Sequence, residues 1–404
     1  MKSAKLTKIV ILFTAFSSCQ GSVMTGLDCV DSYGQVFQGK RIGIITNHTA
    51  YNSNGKYIVD VIRDMPDVKV TALFGPEHGL WGKEQDAIKI DNQTDPVYRL
   101  QVYSLYGKTL KPTPEMLHDI DILIFDIQDI GARFYTYIYT MSLAMEAAAE
   151  NGKRFVVLDR PNPINGFCVE GNLLEPAFSS FVGLYPIPIR HGMTAGELAK
   201  MFNNQGWLKD GVKADLVIIP MKGWRRRMWY DQTGLSFIKT SPNMPDLQTA
   251  SIYPGLCLLE GTNISEGRGT KMPFRQFGAP WIDSKRLAER LNKLNLPGMR
   301  FEPVSFTPAS SKYKGQTCNG VRIIIVERDR LEPYYSGVRI VNEIYRMYPQ
   351  DFQWKVKHFD RLCGTSTIRD AITNRSSLNN LRNKWRAELK SFQKIRKQYL
   401  IYPD

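Results

Sequence analysis

The chain has 404 residues, 43% apolar and 23% charged, and a formal charge of +14. That length allows two domains and a large core, and the balance of apolar to charged residues is that of a globular chain. There is no internal repeat and no low-complexity run, which excludes solenoid and fibrous architectures. From the amino terminus, Lys2, Lys5 and Lys8 precede a short apolar stretch, Ile9 to Phe16, and then Phe16-Ser-Ser-Cys19. This reads as a secretory leader spanning residues 1–19, too short to be a permanent membrane span. Small residues before a Cys resemble a bacterial lipobox, in which that Cys carries the lipid; the plainer alternative is an ordinary cleaved leader. The expectation is an exported protein, a periplasmic or membrane-anchored lipoprotein of a bacterium. It would meet the membrane only through a lipid anchor at Cys19. Loss of the leader removes three lysines and no acid, leaving +11. Much of the excess lies in 375–397, which reads as a solvated helical face. For an exported chain a wall polymer or anionic lipid is accessible, and a nucleic-acid partner is not expected.

Apolar, β-prone runs follow at residues 41–46, 68–74, 120–127 and 155–159, with helices expected at 138–150 and 195–204. The first helix stops at Asn151-Gly152. The second starts on Thr194 with Glu197 three residues on, a capping box. This alternation predicts an α/β fold, a parallel sheet with helices on both faces. Further strands are expected at 215–220 and 256–260. After Ser241-Pro-Asn-Met-Pro245 the pattern changes, with helices at 284–294, 333–347 and 378–399 around a strand at 321–326. The domains are therefore drawn as 20–250 and a smaller α/β unit, 251–404. Cys29, Cys168, Cys257, Cys318 and Cys363 are widely spaced and form no C-x-x-C, so neither a zinc site nor a redox motif is suggested.

Four of these strands end in polar clusters: Asn47-His48, Glu77-His78, Asp126-Ile-Gln128-Asp129, and Asp159-Arg160-Pro-Asn162. A parallel sheet would gather all four at its carboxyl edge, where open α/β sheets bind ligands. Glu, Asp, Arg and Asn there, with Tyr135 and Tyr137, suit a polyhydroxylated ligand such as a sugar. Each cluster also has a plainer reading: acids after a strand cap the next helix, Arg133 and Asp159 could form a structural ion pair, and His78 and His191 could be satisfied hydrogen-bonders. Three later loops add Val169-Glu170-Gly171, Arg190-His191-Gly-Met-Thr194 and the Gly-rich run Glu260 to Thr270. Phosphate-binding loops, dinucleotide fingerprints, nucleophile elbows and zincin helices are all without their motifs. Glycoside hydrolysis needs a proton donor and a second group that activates water or attacks the sugar. Glu77 is the leading acid, because a position after an apolar strand and a Pro is partly desolvated.

The chain resembles the NamZ-type exo-β-N-acetylmuramidases. The matching segments run in order over nearly the whole mature chain and include Arg41-Ile-Gly-Ile-Ile-Thr-Asn47, Pro76-Glu-His-Gly79, Phe125-Asp-Ile-Gln-Asp-Ile-Gly131, Leu158-Asp-Arg-Pro-Asn-Pro163, Arg190-His-Gly-Met-Thr194 and Ser265-Glu-Gly-Arg-Gly-Thr270. The resemblance implies a Rossmann-like, mostly parallel sheet domain, a smaller carboxyl-terminal domain and a cleft between them. It implies an exo-acting hydrolase releasing N-acetylmuramic acid from non-reducing ends of peptidoglycan fragments, without metal or cofactor. Carried onto this sequence, the catalytic acid falls on Glu77, and Glu170 and Glu266 rank above Asp126 as its partner. Asn47, His78, Asp126, Gln128, Arg133, Tyr135, Tyr137, Asp159, Arg160, Asn162, Arg190, His191 and Arg268 are the expected substrate contacts. The lactyl carboxylate would meet Arg133, Arg160, Arg190, Arg268 or the helix start at Thr194. The rival expectation is a periplasmic binding protein for muropeptides or sugar acids without catalysis. Amidase or esterase action is a third reading, disfavoured by the lack of metal-ligand spacing.

Overall fold

A computed structural model describes residues 22–82 and 93–404; the leader and its Cys19 lie outside the described residues. In chain order the strands are β1 (Arg41–Thr46), β2 (Lys69–Gly75), β3 (Gln93–Thr94), β4 (Gln101–Ser104), β5 (Ile122–Asp126), β6 (Arg154–Leu158), a ribbon of β7 (Glu170–Leu173) and β8 (Pro188–Arg190), and β9 (Asp215–Ile219). The main sheet has the order β3-β4-β2-β1-β5-β6-β9, parallel throughout except for the short β3. Omitting β3, the order runs outward in both directions from β1, as in the Rossmann fold, with the topological switch between β1 and β5. The strands that end in polar clusters, β2, β1, β5 and β6, are consecutive neighbours, so their carboxyl ends share one edge. β1 and β5 are apolar and buried almost end to end, as a sheet covered on both faces requires.

The carboxyl-terminal part is built on an antiparallel sheet, β10 (Gln276–Ala279), β11 (Met299–Phe306) and β12 (Cys318–Ile325), in the order β10-β12-β11. Helices Ser284–Lys293 and Pro333–Met347 accompany it, and Val356–Cys363, Thr367–Thr373 and Leu378–Arg396 complete it. One buried cluster runs from the main sheet through both parts, joining Phe125 and Met145 to Phe277, Val338 and Phe359. Among the described residues no helix is long and apolar enough to cross a membrane.

One expected strand is a correction. Residues 256–260 are the end of the helix Leu247–Leu256 and a 3-10 turn, Cys257–Gly261. Asp246 caps that helix by accepting from Thr249 N–H at 2.8 Å. A short apolar run does not by itself separate strand from buried helix, and here the upstream cap decides. The five cysteines from Cys29 to Cys363 are free thiols.

Candidate active site

A cavity of about 290 Å3 opens between the two parts of the chain. Its floor comes from the switch edge: Glu77 and His78 at the end of β2, and Phe134 to Tyr137 leading into the helix Tyr137–Glu150. The far wall comes from the carboxyl-terminal half: Tyr253, Glu260, Arg268, Phe274, His358 and Arg361. The loop with Ser241 and Asn243 closes one side, and Phe181 and Val182 another. The walls are thus aromatic, with a few convergent polar groups, the usual make-up of a small-ligand site.

Glu77 is half-buried, and its Oε2 accepts from the Thr136 hydroxyl at 2.7 Å. His78 follows at φ 70°, a left-handed conformation that a non-glycine residue adopts at some cost, and Gly79 continues it at φ 73°. This turn directs Glu77 into the cavity where the β2 strand would otherwise have run on. Tyr135 and Tyr137 are fixed by one residue: their phenols meet Thr240 Oγ1 at 2.7 Å and Thr240 O at 2.8 Å.

Glu77 and Glu260 are the two acids of this lining. Arg268 donates to Glu260 at 2.8 Å, and His358 Nε2 lies 3.7 Å from it. Burial raises the cost of the Glu260 charge, but Arg268 and His358 outweigh it and hold the carboxyl below the usual range. Arg361, exposed at the mouth, is bonded to His358 Nδ1 at 2.7 Å. One wall therefore presents two guanidinium groups, Arg268 and Arg361, linked through the Glu260 carboxylate and the His358 ring.

Most of the other expected residues are engaged within the fold. Asp126 is fully buried and bonded to Arg160 through both carboxylate oxygens. Arg160 also donates to Tyr51 O at 3.1 Å. Asp159 accepts from Thr194 Oγ1, Tyr402 OH, and the backbone N–H groups of Arg160 and Gly196. Arg133 does not pair with it. Its guanidinium donates to carbonyls of Asn172 and Ile187 at 3.0 Å and of Cys363 at 2.6 Å, so it ties the two parts together. Asn47 accepts from Thr49, and Asn162 bridges Met193 O and Ile164 N. Gln128 donates to Asp129 O and Pro161 O.

His191 is buried, accepts from Met193 N–H through Nδ1, and has its Nε2 4.0 Å from Asp129 Oδ2. Burial drives its imidazole down to about 3 and raises Asp129 to about 7. Glu266 lies beneath the cavity wall, between Lys312 at 2.9 Å and Arg268 at 3.4 Å. Glu170 and Arg190 pair across β7 and β8 and line a different cavity. Of the named residues the structure brings together Glu77, His78, Tyr135, Tyr137 and Arg268. Glu260, Thr136, His358 and Arg361 join them without having been singled out. Glu260 was visible in the Gly-rich run; His358 and Arg361 lie on a helix with no local signal. Gly267 and Gly269 in that run are required by the backbone itself: both have φ near 80°, and a Cβ there would meet Gln276 O at 2.6 Å and Ser310 N at 2.5 Å.

Family models described as Exo-beta-N-acetylmuramidase NamZ, N-terminal and C-terminal, match residues 42–248 and 251–402. The Peptidoglycan beta-N-acetylmuramidase NamZ of Bacillus subtilis (strain 168) is 50% identical over 382 residues, 94% of this chain and 91% of its own length. Two DUF1343 family proteins from Bacteroides fragilis NCTC 9343 share the fold in crystal structures. One superposes with a TM-score of 0.88 at 38% identity, over 94% of this chain and 99% of its own. The other has a TM-score of 0.77 at 30% identity, over 95% and 100%.

Proposed function

Because the chain belongs to the NamZ exo-β-N-acetylmuramidase family it is a glycosidase, and we propose that it releases N-acetylmuramic acid from the non-reducing ends of peptidoglycan fragments by a two-carboxylate mechanism. The observation that carries this reading is the pairing, across one aromatic-walled cavity, of a hydroxyl-held acid with an ion-paired one. Glu77 donates the proton to the departing glycosidic oxygen. Glu260, kept ionised by Arg268 and His358, faces the positive charge that develops on the sugar ring, and either activates water or attacks the anomeric carbon. Tyr135, Tyr137 and Tyr253 supply ring faces for the pyranose. The lactyl carboxylate is received by Arg361 at the cavity mouth, because Arg133, Arg160, Arg190 and Arg268 have their guanidinium groups directed to other partners.

The experiment offers the purified protein a chromogenic β-N-acetylmuramide and the matching glucosaminide. Cleavage of the muramide is expected, and Glu77→Gln should lower kcat at least about a hundredfold, the share a positioned general acid supplies. No cleavage of the muramide would overturn the activity, and near-wild-type turnover by Glu77→Gln would remove Glu77 from its role.

The reading includes export and a lipid anchor at Cys19, supported by the basic, then apolar, then small-residue leader that precedes it. In cell fractionation the wild type should sediment with membranes and a Cys19→Ser variant should not; equal partitioning would remove the anchor.

A further inference from the structure

The helix Val356–Cys363 presents two side chains to the catalytic cavity one turn apart, His358 and Arg361. Its position is set by the turn that carries Glu260. Lys355 N–H donates to Gly261 O at 2.9 Å. Phe359, fully buried, lies so close that a Cβ on Gly261 would meet its Cα at 2.6 Å. Its ring also meets Trp354 edge-on, with centroids 4.7 Å apart. Gly261 therefore permits the approach that brings His358 to the neighbouring Glu260.

The contacts of His358 leave its ring one arrangement. A guanidinium donates and never accepts. Arg361 bonds Nδ1 at 2.7 Å, so Nδ1 presents its lone pair and the ring proton sits on Nε2. Nε2 faces Glu260 Oε2 at 3.7 Å, while Arg268 holds Oε1 at 2.8 Å. The Nε2–H is thus aimed at the oxygen Arg268 leaves open. Its distance is that of an electrostatic contact, of the kind that tightens when substrate fills a site. Resting on the proposed function, in which Arg361 receives the lactyl carboxylate and Glu260 faces the developing charge, we infer that His358 is a positioning residue for both groups. Its Nδ1 holds Arg361 for the substrate anion, and its Nε2–H fixes the Glu260 carboxylate for the chemical step. Arg361 is long and exposed, and an acceptor at Nδ1 restricts its rotamers before the anion arrives, which lowers the ordering cost of binding. Arg268 and His358, one on each oxygen, set the plane of the Glu260 carboxylate. One imidazole thereby joins recognition of the sugar acid to catalysis.

Two substitutions separate the ring nitrogens. An Asn amide falls near the position of Nδ1 and a Gln amide near that of Nε2. His358→Asn keeps an acceptor for Arg361 and loses the donor to Glu260; His358→Gln does the reverse. The side chain is partly exposed and neither amide adds bulk, so folding should survive. On the chromogenic muramide His358→Asn should lose chiefly kcat and His358→Gln should chiefly raise KM, each by at least about tenfold. On the uncharged glucosaminide the kcat loss of His358→Asn should persist and the KM effect of His358→Gln should disappear. Calorimetric titration with free N-acetylmuramic acid should show weaker binding in His358→Gln than in His358→Asn. Nitrogen-15 spectra of the wild type, assigned by the signals that His358→Gln removes, should show Nε2 protonated and Nδ1 bare. Equal effects of the two variants on both parameters, as a merely structural ring would give, wild-type kinetics in both, or a proton on Nδ1 would each overturn the inference. Failure of the wild type to cleave the muramide would instead strike the proposed function, and the titration and the spectra would still decide the Arg361 contact.

Discussion

At the scale of single residues, the contrast between Arg361 and Arg133 shows why residue type alone misleads. Both are arginines near the cleft. Arg133 is entirely buried and spends its donors on backbone carbonyls from both parts of the chain. Arg361 is exposed at the cavity mouth, and among the described residues its side chain has only His358 Nδ1 as partner. Specificity for an anionic sugar should therefore sit on Arg361. Arg361→Met is expected to raise KM for the muramide about tenfold or more, the value of one charge-assisted hydrogen bond of about 1.5–3 kcal/mol. Hydrolysis of the uncharged glucosaminide, however slow, should change little. Steady-state kinetics on the two substrates decide it, and an equal effect on both would show that Arg361 only supports the wall.

At the scale of elements, the helix Ala195–Asn204 begins in a way the sequence announces and ends up holding more than itself. Thr194 and Glu197 form the capping box. Asp159, at the end of β6, accepts from Thr194 Oγ1 and Gly196 N–H, and so joins strand to helix. The same carboxylate accepts from Tyr402 OH at 2.6 Å, and Glu197 Oε1 accepts from Ile401 N–H at 2.8 Å. The chain's final residues are thereby fastened to the first sheet. Removal of Asp159 strands several buried donors at once, so Asp159→Ala should cost about 3 kcal/mol or more. Urea unfolding would measure that loss, and limited proteolysis should show the last residues released first. A loss below about 1 kcal/mol would mean that the tail is held mainly by the packing of Trp224 against Tyr402.

At the scale of the whole molecule, the buried cluster does not divide where the sequence changes character. Arg133 and Asn172 also both bond Cys363 O across that line. The protein should therefore unfold in one calorimetric transition, with the van't Hoff and calorimetric enthalpies equal. Two resolved transitions would mean that the parts fold independently. A pH series of the same scans tests Asp129. Burial raises its folded value to about 7, above the unfolded value of about 4. The folded state thus holds this proton more tightly. The stability the group contributes is fully present below about pH 4 and is lost as pH rises through about 7. Relative to wild type, Asp129→Asn should gain on the order of 2–4 kcal/mol between pH 4 and pH 8. A pH-independent difference would show that the carboxyl is solvated in the folded state.

What the sequence determined by itself is what short-range physics governs. Apolar runs and their terminators gave the strands, Thr194 and Glu197 gave a helix start, and the parallel order followed from alternation; the four polar strand tips were legible for the same reason. Short-range reasoning failed at residues 256–260, where strand and buried helix look alike over five positions. It could not say which polar tips stay open to a ligand. Asp126 is occupied by a residue 34 positions away and Asp159 by one 243 positions away. Glu260 draws His358 from a helix nearly a hundred residues further on. A carboxylate next to a strand end is a cap, an ion pair or an acid according to which side chain arrives from elsewhere. Burial then sets the strength of that choice, and burial exists only once the tertiary structure has excluded water.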